Sequence, residues 1–186
     1  MTHRPGIKEK LFFLLSGALI STPFPALANS LIDYFILIDL PSFYGSLISV
    51  VIAAPILEEF AKAYPLFYRH GETERSIFTL GFLTGLGFGI AEFFLYTLVF
   101  DVPATLRLPL VLFHATNTAI VAFGIGKHRA LVYYLLTVIL HALYNFSITS
   151  GSLNLIAIFS IAFSFILSWF LYKKTREVQI DHGLSV

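Results

Sequence analysis

Long apolar stretches, separated by short polar breaks, run through the whole chain. A bilayer with a hydrocarbon core about 30 Å thick needs about 20 apolar residues for each membrane-spanning helix. Six stretches reach that length, and they predict spans at 11–31, 44–67, 77–100, 107–126, 130–149 and 153–172. The breaks between them contain residues that favour turns, among them Pro41, Pro103 and Gly151. We therefore expect an all-α, polytopic transmembrane helix bundle of about six spans, built as a single transmembrane domain over residues 1–186.

Composition supports a membrane protein and excludes several other classes. Charged residues make up 12% of the chain, whereas a soluble domain carries about 25%. The net charge of +1 offers no basic surface, so no nucleic-acid partner is expected. The chain has no cysteine, which excludes disulfides and thiolate metal sites. We expect a multi-pass protein in a lipid bilayer, that of the cell membrane.

Positive charges concentrate in alternate loops of the predicted topology. The lysines and arginines on one side are Arg4, Lys8, Lys10, Arg69, Arg75, Lys127, Arg129, Lys173, Lys174 and Arg176. The opposite loops carry Arg107 beside the acidic residues Asp33, Asp39 and Asp101. Because cytoplasmic loops carry an excess of lysine and arginine, this bias predicts that both termini are cytoplasmic.

The N-terminal segment has a second interpretation. Lys8 and Lys10, the apolar stretch from Leu11 and the small residues up to Ala28 are also typical of a cleavable signal peptide. We expect this segment to remain as an uncleaved first helix. Cleavage after Ala28 would leave the other spans in the same orientation, so the functional argument is the same in both cases.

Six ionisable residues lie inside the predicted spans. They are Glu58, Glu59 and Lys62 in the second span, Glu92 in the third, His114 in the fourth and His141 in the fifth. A charged side chain at the centre of a membrane helix costs about 2.5–3.5 kcal/mol, so such residues face the bundle interior and are functional as a rule. A buried ion-pair network that only fixes helix packing is the alternative, but serine, threonine or asparagine could serve that purpose.

The spacing of these residues predicts that they meet. Four spans each pair residues four positions apart: 58 with 62, 88 with 92, 114 with 118 and 141 with 145. Residues four apart lie on one face of a helix. Counting about 1.5 Å per residue places these faces about 14–23 Å from the cytoplasmic ends of their spans, which allows one shared pocket. Gly81, Gly85 and Gly89 repeat at the same spacing and predict close packing of the third span.

These residue types suit hydrolysis of a peptide bond, which needs an activated water, a donor for the oxyanion and a proton for the leaving amine. We assign Glu58 as the general base that activates water. Lys62 lies on the same helix face and is expected to stabilise the charged form of Glu58. Glu59 lies about 100° further around the helix. It is expected to orient a neighbouring helix or the leaving-group proton.

The other site residues come from the next three spans. We expect His141 and Asn145 to donate to the oxyanion, and His114 to position the water or act as an acid. Glu92 would share water activation with Glu58 or bind a metal. Two histidines and a carboxylate form a known catalytic zinc set, so Glu92, His114 and His141 are candidate ligands for a single divalent ion, although HExxH is absent.

Charge balance keeps the metal question open. Three glutamates and one lysine inside the spans leave two negative charges if all four residues are ionised. A divalent ion, protonation of a carboxylate or an imidazolium could each neutralise them. The sequence alone does not choose between a glutamic and a metal-dependent mechanism.

Four motifs, in this order, resemble one protein family. Residues 58–62 read EExxK, 85–92 read GxGFxxxE, 114–118 read HxxxT and 141–145 read HxxxN, within a core of about 44–149. Together they resemble the PrsW family of intramembrane proteases. The related type II CAAX prenyl-proteases have EExxxR and FxxxH, so the lysine spacing and the second glutamate here favour the PrsW branch. The resemblance implies cleavage of membrane-tethered protein or peptide substrates, such as anti-sigma factors in bacterial relatives.

Two other functions use buried glutamate and histidine. A proton or metal transporter lines its path with such residues, but the sequence has no evident inverted repeat. A non-catalytic membrane scaffold, like the gamma-secretase subunit to which the family is distantly related, could dispense with the glutamate pair. Signatures of serine, site-two zinc and aspartyl intramembrane proteases are missing from the sequence. We therefore expect an intramembrane endopeptidase of glutamic or metal-dependent type.

Overall fold

The computed structural model describes residues 4–68, 73–151, 154–178 and 180. Within them, six helices are long and apolar enough to cross a membrane: α1 (Ile7–Phe35), α2 (Ser42–Tyr68), α3 (Glu74–Val99), α4 (Ala104–Gly126), α5 (Ala130–Ser150) and α6 (Leu155–Lys174). This confirms the predicted all-α, polytopic bundle, and the chain is a multi-pass integral membrane protein. Arg69, one of the residues on which the predicted orientation depends, lies outside the described residues.

Helix α4 lies at the centre of the bundle and packs closely against α3. In its most apolar window 72% of the residues are buried, against 50% for α3 and 28% or less for the other four helices. The repeated glycines of α3 face α4: a Cβ atom added at Gly85 would lie 2.3 Å from the carbonyl oxygen of His114, and one at Gly89 would lie 2.8 Å from Cα of Val111. The glycine spacing therefore does mark close packing, and it brings the two backbones together beside His114.

Helix α2 contains a π-helical segment, Leu47–Ala53, one turn before the acidic residues. At the end of this segment Ala54 donates its N–H to the carbonyl of Ser49, five residues back. The next residue is Pro55, which has no N–H to offer the carbonyl of Val50. Nδ2 of Asn145, on α5, donates to that carbonyl at 2.8 Å. The bond satisfies a polar group freed by the proline and ties α5 to α2.

The chain after α6 folds back across the beginning of α3. The backbone N–H groups of Glu74 and Arg75 donate to the carbonyls of Val178 and Arg176 at 3.2 and 3.3 Å. Ile180 is buried in a cluster that also contains Phe13, Leu66, Ile77, Leu80 and Ala122. This segment covers the end of the bundle at which α1 begins and α6 ends.

Candidate active site

Lys62, Glu59 and His141 form the buried centre of the site. Nζ of Lys62 donates to Oε1 of Glu59 at 2.7 Å, and both side chains are fully buried. The same carboxylate oxygen lies 2.9 Å from Nδ1 of His141. The sequence pattern paired Lys62 with Glu58, but the direct contact is with Glu59. The residue with the least defined expected role therefore joins α2 to α5.

His114 extends these contacts towards α3. Its Nδ1 lies 3.0 Å from Nζ of Lys62, and its Nε2 lies 2.7 Å from Oε2 of Glu92. Nε2 of His114 and Oε2 of Glu92 thus form a short ion-pair contact. Among the described residues Nε2 has no aligned hydrogen bond. The ring of Phe88 packs against the His114 ring with centroids 4.9 Å apart, and Nζ of Lys62 lies 4.6 Å from the Phe88 centroid. Aromatic surface thus excludes water from this part of the site.

Arg107 lies at one end of the site, although its position in the sequence predicted a loop residue and not a site residue. Its Nη2 donates to Oε2 of Glu92 at 3.3 Å, and both side chains are 13% exposed. Its guanidinium carbon lies 3.8 Å from the ring centroid of Tyr96. The predicted topology placed Arg107 at the start of the fourth span, beside an outer loop. The observed α4 begins at Ala104, so Arg107 lies one turn inside the helix.

Glu58 forms the other end of the site. Its Oε2 lies 3.7 Å from Nε2 of His141, too far for a hydrogen bond, and the side chain is 15% exposed. This oxygen is buried and has no hydrogen-bond partner. Seven residues are thereby linked in one series of contacts, which we call the polar chain: Arg107, Glu92, His114, Lys62, Glu59, His141 and Glu58.

A cavity of about 610 Å³ lies against the polar chain. Glu58, Glu92, Arg107, His114 and His141 all line it. It continues towards the C-terminal ends of α1, α3 and α5, where the lining includes Asp33, Phe100 and Thr149. Both ends of the polar chain and its two histidines therefore line the cavity, whereas Lys62 and Glu59 do not.

Asn145 and part of helix α1 also line the cavity. Nδ2 of Asn145 is bonded to the carbonyl of Val50, which leaves one N–H for the expected oxyanion role. Helix α1, which carries no family motif, contributes a polar wall that includes Thr22, Asn29 and Asp33. Only the three-dimensional structure reveals this wall, because α1 has no ionisable residue at mid-membrane depth to mark it.

Arg107 changes the charge balance expected from the sequence. The polar chain contains three glutamates and two basic residues, Lys62 and Arg107. With both histidines neutral, one negative charge is left over rather than two. A site with a small excess of negative charge next to two imidazoles can take a proton or a cation.

The donor set fits a divalent metal ion. One ligand atom from each of Glu58, His114 and His141 lies within 4.8 Å of the other two. Oε2 of Glu58 and Nε2 of His114 are buried without a hydrogen-bond partner. Glu59 bonds the remaining nitrogen of His141, as carboxylates behind metal-binding histidines commonly do. The sequence predicted Glu92, His114 and His141 as metal ligands. Both histidines belong to the observed group, but its carboxylate is Glu58. Glu92 contacts one member of the group, His114.

Comparison with known proteins places the chain in a family. The family model described as PrsW family intramembrane metalloprotease matches residues 7–171, most of the chain. No curated protein and no solved structure matches the chain. The match covers all four motif-bearing helices and agrees with a buried glutamate and histidine site inside a six-helix membrane bundle. The chain belongs to the PrsW family of intramembrane metalloproteases.

Proposed function

We infer that this protein is an endopeptidase that hydrolyses peptide bonds of membrane-tethered proteins or peptides, and that Glu58 activates the attacking water. The observation that carries this proposal is the position of Oε2 of Glu58. It is buried and lacks a hydrogen-bond partner among the described residues, and the Glu58 side chain lines a cavity large enough for an extended peptide segment. A carboxylate held this way can accept a proton from a water molecule in the cavity.

Glu59 and Lys62 fix the two histidines rather than touching the substrate. Glu59 accepts from Nδ1–H of His141, so the lone pair of that ring lies on Nε2, the atom nearest to Glu58. Nε2 of His141 can therefore receive the proton that Glu58 takes from water. The resulting imidazolium would be stabilised by Glu59 and could donate to the oxyanion.

His114 is suited to protonate the leaving amine. The ammonium of Lys62 donates to its Nδ1, so the proton of the neutral ring lies on Nε2. That atom has no hydrogen-bond partner and lies beside Oε2 of Glu92. We propose that Glu92 orients the His114 ring and returns a proton to it after each turnover.

Glu58, His114 and His141 are the residues that would hold a divalent metal. Such an ion would lower the pKa of a bound water and polarise the substrate carbonyl. To bind through Nε2, His114 would carry its proton on Nδ1, and Lys62 would have to accept from it, which only the neutral amine can do. Glu92 would then be the carboxylate of the cavity outside the ligand set.

The proposal is tested with purified full-length protein in lipid nanodiscs and a mixture of single-span peptides. Mass spectrometry would detect new peptide termini produced by the wild type. Glu58→Gln should abolish them, whereas the matched control Asp39→Asn, which changes an exposed loop residue, should not. Wild-type cleavage by Glu58→Gln would remove Glu58 as the base. If the wild type produced no new termini, the assignment of peptide hydrolysis would be wrong.

A further inference from the structure

Arg107 has a hydrogen-bond donor that nothing else in the described structure uses. Its Nε is buried and has no partner, although its Nη2 is bonded to Glu92. The described residues contain four such unpartnered buried side-chain atoms in the lining of the cavity: Oδ1 of Asn29, Oε2 of Glu58, Nε of Arg107 and Nε2 of His114. Among these, Nε of Arg107 always carries a hydrogen.

The geometry holds this donor in place. The guanidinium carbon lies 3.8 Å from the centroid of the Tyr96 ring. Nη2 of the same group lies 3.3 Å from Oε2 of Glu92, so the guanidinium is held by two contacts. A fixed donor needs little reorganisation when charge develops on a substrate oxygen, which is the property that makes an oxyanion site effective. Glu92 takes up one nitrogen of the guanidinium, and Nε remains for another acceptor.

Several other donors along the cavity are already committed. Asn145 donates to the carbonyl of Val50, and the hydroxyls of Thr22 and Ser30 donate to carbonyls of their own helix. Nδ1 of His141 is bonded to Glu59. The two residues from which the sequence predicted an oxyanion site are therefore both partly occupied by structural bonds.

We propose that Arg107, which lines the same cavity as Glu58, is a catalytic residue that donates from Nε to the carbonyl oxygen of the scissile peptide. This inference rests on the proposed function. Water attacks the carbonyl carbon as Glu58 takes its proton, and the carbonyl oxygen becomes an oxyanion bonded by Arg107. When the intermediate collapses, the carbonyl re-forms, the C–N bond breaks and the amine leaves with a proton from Nε2 of His114. Glu58 passes the proton taken from water to Nε2 of His141 and from there to water in the cavity. Glu92 returns one proton from that water to His114, so the overall reaction consumes one water and each side chain ends as it began.

A purely positioning role for Arg107 makes a different prediction. If Arg107 only held Glu92 in place, Arg107→Lys, which keeps a cation for Glu92, would retain the wild-type kcat. If it only bound a substrate side chain, its loss would raise KM and leave kcat unchanged. A transition-state donor lowers kcat and leaves KM nearly constant.

The experiment measures kcat and KM of Arg107→Ala on a peptide that the wild type cleaves, with and without methylguanidinium. Loss of one oxyanion donor costs about 100-fold to 1,000-fold in kcat. We expect a loss of about 100-fold, with KM within about threefold of wild type and partial recovery of kcat in methylguanidinium. Unchanged kcat, a change in KM alone, or no recovery would overturn the proposal.

Arg107→Lys keeps the charge that pairs with Glu92 and serves if Arg107→Ala does not fold. It removes the planar donor fork, so we expect kcat to fall by at least about tenfold at an unchanged melting temperature. Wild-type kcat in this variant would overturn the assignment. Peptide cleavage by the wild type and its loss in Glu58→Gln are recorded in the same assay. A failure of the Arg107 prediction is therefore distinct from a failure of the proposed function.

Discussion

Lys62 and Glu59 form an ion pair with 2.7 Å between Nζ and Oε1, and neither side chain is exposed. Each partner also bonds a histidine on a different helix, His114 on α4 and His141 on α5. The pair therefore holds three helices in register as well as balancing two charges inside the membrane. Removing one partner leaves the other charge buried, which is far more costly than removing both.

We expect Lys62→Met to destabilise the protein strongly. Loss of one member of a buried ion pair costs about 3–5 kcal/mol, because the remaining charge keeps its desolvation cost without its partner. Thermal unfolding in a fixed detergent should show the lower stability, and the double variant Lys62→Met/Glu59→Gln should be more stable than the single one. The matched control is Lys10→Met, an exposed residue of α1. Similar melting temperatures for Lys62→Met and this control would contradict a structural role for the pair.

Asn145→Ala should also destabilise the protein, but through the backbone of α2. It leaves the carbonyl of Val50 without its side-chain donor, and the loss of one such hydrogen bond costs about 0.5–1.5 kcal/mol. Pro55→Ala supplies an N–H that can bond this carbonyl, so the double variant Asn145→Ala/Pro55→Ala should recover most of the loss. Denaturation curves of the single and double variants test the prediction. A double variant as unstable as Asn145→Ala would show that the Val50 carbonyl is not the reason.

Hydropathy was sufficient to place the helices, since every span prediction overlaps its observed helix. It was not sufficient to place Arg107. An arginine between leucines at the start of an apolar stretch can lie in the interface or enter the bundle, and only the partners decide. Here the partners are Glu92 and Tyr96 from the neighbouring helix. Those contacts join residues distant in sequence, which helical periodicity on one span cannot predict.

The change of the Lys62 partner from Glu58 to Glu59 has a similar origin. A lysine side chain on a helix can reach an acidic residue either three or four positions earlier, so EExxK is compatible with both pairs. The choice depends on which glutamate faces His141 on α5. The structure turns Glu59 into the helix interface and leaves Glu58 in the cavity. The sequence nevertheless predicted all the residues of the polar chain except Arg107, because charged groups in a membrane span require a common interior.

Metal content gives a test that does not depend on enzymatic activity. If Glu58, His114 and His141 hold a divalent ion, purified protein should retain about one ion per chain after dialysis, as catalytic zinc sites do. Elemental analysis by mass spectrometry should find much less metal in His141→Ala. The matched control is His128→Ala, which alters an exposed histidine in the loop between α4 and α5. A full ion in both variants would contradict His141 as a ligand, and the absence of metal from the wild type as well would argue for a site that works without a metal.

The contact between Gly85 and His114 makes the close approach of α3 and α4 testable. A Cβ atom at Gly85 would lie 2.3 Å from the carbonyl oxygen of His114, which is backbone and cannot rotate away. Gly85→Ala should therefore push α4 outwards, at a cost of about 1–3 kcal/mol for overpacking. Because a displacement of about 1 Å at a catalytic group can cost about 100-fold, peptide cleavage should fall more than stability suggests.

Gly45→Ala is the control for this substitution, since its added Cβ would lie at an ordinary 3.9 Å from the carbonyl oxygen of Leu37. Melting temperature and kcat are measured for both variants on the same peptide. If Gly85→Ala matched Gly45→Ala in both quantities, the helices would have room to separate without moving His114. In that case the glycine repeat would contribute to packing alone, and its position beside the histidine would have no consequence for the chemistry.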